Sequence, residues 1–131
     1  MIEQLKKEAI KARKVMENHK HELDDSLFDK FPIGACGNTS FIFGKWLKEK
    51  GFKEVKYVVG YRKKWKSHAW LEINGLIIDI TADQFEEGME PIFIGKNRDF
   101  HDTFENQVKS EPTTRTIKEV YEIFYNLMQN T

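Results

Sequence analysis

The chain has 131 residues, 40% of them apolar and 13% aromatic, with ten Phe, three Trp and four Tyr. That is enough bulk to build one compact domain over residues 1–131 without cross-links, so disorder is excluded as the default. Lys plus Arg and Asp plus Glu total 21 each, and a formal charge of zero supplies no global field toward nucleic acid or an anionic membrane.

From Ile2 the apolar positions Ile2, Leu5, Ala9, Ala12 and Met16 recur at helical spacing and predict an amphipathic helix to about Asn18. A second, shorter helical turn is expected over Glu22 to Phe28. The stretch around Pro32 and Gly34 interrupts the helix, and a new periodic segment opens at Cys36. Thr39, Phe43, Trp46 and Leu47 line one face of it, and Lys50 with Gly51 marks its exit.

The rhythm then shortens. Val55 to Arg62, Ser67 to Ile73 and Leu76 to Ile80 are rich in β-branched and aromatic residues and read as three antiparallel strands. Asn74 and Gly75 are the strongest short hairpin signal, because a type I′ turn needs positive φ at both central residues. An edge strand is expected over Pro91 to Ile94, an irregular polar segment over Gly95 to Pro112, and a capping box of Thr116 and Glu119 opening a closing helix. Ile117, Val120, Tyr121, Phe124, Leu127 and Met128 form the buried stripe of that helix. The fold class is therefore α+β, with helices packed on a short antiparallel sheet.

Cys36 is the sole cysteine, which excludes an internal disulfide. The stretch Met1 to Asn18 lacks the apolar run of a signal peptide, and nothing approaches the ~18 apolar residues of a membrane span. A soluble, cytoplasmic protein with a reduced thiol is the expectation. A cysteine that opens a helix sits near unpaired backbone N–H groups and the positive end of the macrodipole, which lowers a thiol pKa.

Register finds its partner. A two-residue turn at Asn74 and Gly75 pairs Ile73 with Leu76, Glu72 with Ile77, Leu71 with Ile78 and Trp70 with Asp79. Alternation then sets His68 and Asp79 on one face, diagonally apart at a Cβ separation of roughly 7 Å. A carboxylate in the apolar run Leu76 to Ile80 also needs a partner, and His68 is the nearest by register. Asp83 is the rival third member, past the strand end.

Gly34, Ala35 and Cys36 opening a helix, then His68, Ala69, Trp70, Leu71 and Glu72 on a strand, then Asp79, Ile80 and Thr81 on the next, resemble the bacterial transglutaminase-like cysteine proteins. Their pattern is a G-x-C helix start, an H-A-W-x-E strand and a D-x-T strand on a papain-type core. The resemblance covers roughly Ile33 to Phe85. It implies Cys36 as nucleophile, His68 as general base and acid, and Asp79 as the orienting group. Papain-like proteases also place a glutamine ahead of the cysteine; Asp29 to Ala35 contains none, so backbone N–H groups at the Cys36 helix start are expected to hold the oxyanion.

The expected activity is thiol-dependent hydrolysis of an amide, as protease or glutamine deamidase, with transfer to an amine as the alternative. A non-catalytic protein-binding module of the same fold is the rival reading. Asn38, Trp65 and Trp70 are the expected substrate contacts. The basic run Arg62 to Lys66 is either a solvated loop or a rim that selects an acidic protein or peptide, with Trp65 as its anchor. Glu72 is expected in a salt bridge. His19 and His21 are too few for a zinc site, and no metal or cofactor is called for.

Overall fold

The computed structural model describes residues 1–63, 66–87 and 89–131. Three helices, α1 (Ile2–Phe28), α2 (Cys36–Glu49) and α3 (Lys118–Gln129), accompany five strands: β1 (Lys56–Arg62), β2 (Lys66–Ile73), β3 (Leu76–Asp79), β4 (Phe93–Gly95) and β5 (Glu105–Ser110). The strands form one antiparallel sheet in the order β4-β3-β2-β1-β5. The protein is α+β, as the pattern of periods predicts.

The apolar stripe of α1 is buried at Leu5, Ala9, Ala12 and Met16. Helical angles fail at His19 (φ −128°, ψ 20°) and Asp24 (φ −175°, ψ 110°), so the expected break near Asn18 is a kink within a longer element. Asp24 restarts the helix by accepting the Leu27 N–H at 3.1 Å, the bond of an N-cap residue. Thr39, Phe43, Trp46 and Leu47 of α2 are buried, and Gly51 takes φ +104° just past its end. The hairpin turn has φ 48° at Asn74 and 83° at Gly75, and Ile73↔Leu76, Glu72↔Ile77 and Leu71↔Ile78 pair in the expected register.

Strand alternation divides the packing between the two faces of the sheet. Leu71, Ile73, Ile78 and Ile80 join the helices in the larger core, which includes Met16, Phe43, Trp46 and Phe124. Val58, Trp70, Ile77 and Phe104 form a second cluster, with Phe85, Phe93 and Phe100 packed against it. Gly60 lets the aromatic segment close on the sheet, because a Cβ there would lie 2.8 Å from the Cβ of Phe104.

Three local expectations are corrected. The edge strand is shifted to Phe93–Gly95, where Ile77↔Gly95 and Asp79↔Phe93 are paired. The segment expected to be irregular contains a 3-10 turn at His101–Thr103 and all of β5, which pairs with β1 at the other edge. That strand escapes a search for alternation because it covers no core: even Val108 is 57% exposed. The capping box does not form, since α3 starts at Lys118 with Ile117 as its N-cap and no side-chain cap bond. The α3 stripe is nonetheless buried at Val120, Tyr121, Phe124 and Met128. Among the described residues no helix is long and apolar enough to cross a membrane.

Candidate active site

Cys36 is the first residue of α2, so the N–H groups of this first turn lack acceptors within the helix; the first such bond runs from Thr39 N–H to the Ala35 carbonyl at 2.9 Å. The helix is docked on β2 partly through Ser40, whose hydroxyl donates to the Ala69 carbonyl at 3.3 Å. Pairing between β2 and β3 stops at Leu71↔Ile78, so the start of β2, with His68 and Ala69, extends beyond its partner strand.

His68 is fully buried. Its Nε2 lies 2.6 Å from Asp79 Oδ2. A carboxylate only accepts, so the ring carries its proton on Nε2, and Nδ1 is left as the nitrogen available to the thiol. Nδ1 has no partner in hydrogen-bond geometry among the described residues. Cys36 and His68 nonetheless shift each other's protonation.

The electrostatics favour a charged pair. Burial pushes the Cys36 thiol up, but the hydrogen-bonding influence and charge of His68, helped by the Ala69 backbone N–H, hold it below its ordinary value. Burial alone would depress His68, yet the Asp79 carboxylate and then Cys36 outweigh it and raise the ring to about 9. Burial would likewise raise Asp79, but the charge of His68 and the bonds from His101 and His68 keep it below the usual carboxylate range. The three groups thus shift one another toward thiolate, imidazolium and carboxylate.

His101 was not singled out from the sequence. It is fully buried, and its Nε2 lies 2.7 Å from the same Asp79 Oδ2. The other carboxylate oxygen accepts the Thr81 N–H at 2.9 Å. Four contacts, counting the Thr81 hydroxyl at 3.4 Å, therefore hold Asp79 in one orientation. The legible signal for His101 was its place between Phe100 and Phe104, a polar ring between aromatics spaced as a buried turn.

His68, Asp79 and His101 each offer one ligand atom within 4.8 Å of the others, the spacing of a potential cation site. Nitrogen-to-oxygen separations of 2.6 and 2.7 Å are hydrogen-bond lengths. Ligands around one tetrahedral zinc at ~2.1 Å would stand about 3.4 Å apart. The geometry fits shared protons.

Of the sequence-predicted contacts, Asn38 lies in the first turn of α2 and is partly exposed. Trp65 falls outside the described residues. Trp70 is fully buried, its indole N–H donates to Glu72 Oε2 at 2.9 Å, and its ring walls His68 at a distance of 5.5 Å. Glu72 forms the expected salt bridges, with Arg98 at 3.1 Å and Lys109 at 3.2 Å. Asp83 is engaged by Arg13, which leaves Asp79 as the partner of His68. Arg62, at the start of the basic run, lies over Phe104 at 4.1 Å and bonds Glu87 at 2.6 Å, closing the aromatic cover over His68. His19 and His21 pair with Glu22 and Asp25 on the exposed side of α1.

Compared with models of protein families, with curated proteins and with solved structures, the chain shows no match in any of the three. The functional reading rests on the residues themselves.

Proposed function

We propose that this protein is a cysteine-dependent acyl hydrolase or transferase acting on an amide bond, with Cys36 as nucleophile, His68 as general base and acid, and Asp79 as the orienting carboxylate. The observation that carries this reading is the His68–Asp79 bond of 2.6 Å, which reserves the other ring nitrogen for a thiol whose pKa is lowered. The order of Cys36 helix, His68 strand and Asp79 strand supports it further through its resemblance to transglutaminase-like proteins and the papain-type core.

In the reaction, the Cys36 thiolate attacks the carbonyl carbon, a C–S bond forms, and the carbonyl electron pair moves to oxygen. Backbone N–H groups at the start of α2 face the developing charge. Collapse expels the amine, which takes its proton from His68 Nδ1 and leaves an acyl-thioester at Cys36. His68, now neutral, deprotonates the acceptor. Water is the favoured acceptor because it needs no second binding site, which makes the protein a protease or glutamine deamidase; an amine would make it a transglutaminase. A reducing compartment suits the free thiol.

Intact-mass analysis of the wild type and of Cys36→Ser after incubation with peptide pools tests the reading. A thioester adduct, cleaved peptides or deamidated glutamine is expected with the wild type alone. Identical spectra from both proteins, with Cys36 no more reactive than a free thiol, would contradict it and favour a non-catalytic binding module.

A further inference from the structure

Tyr57 of β1 stands beside the nucleophile from a direction that the triad does not use. It is paired with Leu71, so by strand alternation its side chain projects from the face that α2 covers. Its ring stacks on Phe41 of α2 at 4.0 Å and 15° between planes, which fixes the phenol against the helix. Gly37 immediately follows Cys36, and a Cβ added there would meet the Tyr57 hydroxyl at 3.5 Å. The hydroxyl therefore lies against the first turn of α2 at Gly37, and it makes no hydrogen bond to the protein among the described residues.

We propose that Tyr57 is a catalytic residue, its phenolic O–H donating to the oxyanion that forms when the Cys36 thiolate attacks a carbonyl. The proposal rests on the acyl-transfer reading and supplies the side-chain donor that the glutamine-free segment before Cys36 lacks. As the C–S bond forms and negative charge gathers on oxygen, the Tyr57 O–H and the α2 backbone N–H groups share it; the O–H keeps its proton throughout. Burial, then the charge of Cys36 and of Tyr61, push the phenol up to about 12, so it stays a donor through the working range of the thiolate. A Cβ at Gly37 would only touch the hydroxyl at ordinary van der Waals distance, so the contact marks where the phenol sits and does not demand glycine.

The test separates two reactions of the same sulfur. Alkylation by iodoacetamide passes through no oxyanion, whereas acylation by p-nitrophenyl acetate does. Tyr57→Phe keeps the ring and its stacking. It is expected to slow acylation of Cys36 by about 100-fold or more, while alkylation changes by less than about twofold. Acylation at the wild-type rate would overturn the donor role and leave the triad standing. A parallel fall in both reactions would also overturn it, by showing that Tyr57 acts on the thiolate or on the fold. A wild-type Cys36 that neither alkylates nor acylates faster than a free thiol would overturn the acyl-transfer reading itself, and the donor with it.

Discussion

Asp79→Asn should reduce acylation of Cys36 by about 10³–10⁴-fold and destabilise the protein by about 3–5 kcal/mol. The carboxylate oxygen Oδ2 accepts from two buried imidazoles, His68 at 2.6 Å and His101 at 2.7 Å. An amide can present oxygen to those rings or a donor, and it carries no charge. Without the carboxylate, His68 loses both the group that keeps its proton on Nε2 and the charge that raises its pKa. A ring with its proton on Nδ1 cannot take one from the thiol. The stability loss follows from leaving two ring N–H groups in an aromatic cluster without a charged acceptor. Burst acylation by p-nitrophenyl acetate and urea denaturation read the two effects. Near-wild-type acylation would remove Asp79 from the mechanism, whatever the stability.

Arg13→Ala is expected to cost about 3–5 kcal/mol although it lies on α1, away from the sulfur. Its side chain is 7% exposed, and the guanidinium grips both oxygens of Asp83 at 2.8 Å and donates to the Ile80 carbonyl at 2.8 Å. The ring of Phe31 lies 4.9 Å beneath it. Truncation leaves a carbonyl and a carboxylate short of partners just beyond Asp79, so β3 should lose its fixed end along with the stability. The double variant Arg13→Met with Asp83→Leu should recover much of the loss, since replacing both members of a buried pair removes the unmet charge. Urea midpoints check this. A loss below about 1 kcal/mol in the single variant would mark the pair as a surface contact.

The contrast between Asp79 and His101 shows what could be read from sequence. Asn74 and Gly75 set the hairpin, the period of two carried that register back to His68 and Asp79, and the two residues bond as the register required. His101 lies on a 3-10 turn whose placement depends on how the segment around Phe100 and Phe104 folds over the sheet, and no local period encodes that. β5 was hidden for a related reason, since Glu105, Asn106 and Lys109 cover no core and show no alternation. Adjacency of Trp70 to His68 suggested a substrate contact but not its place in the second cluster beside Val58 and Ile77, nor its bond to Glu72, which depend on tertiary packing. The Thr116 and Glu119 pattern matched a capping box, but the helix begins two residues after Thr116, so Thr116 is not its N-cap.

The central claim is that His68 holds the resting Cys36 thiol below its ordinary pKa, and titration of the Cys36 thiolate by its ultraviolet absorbance tests it most directly. Wild type and His68→Ala are compared, each against its Cys36→Ser counterpart. In the wild type the thiolate should form below the ~8.5 of a free thiol, and its signal should shift again as His68 gives up its proton near pH 9. In His68→Ala, burial should dominate and the thiolate should form only above the ordinary thiol range. Thiolate curves that coincide in the two proteins, both at or above the ordinary range, would contradict the account.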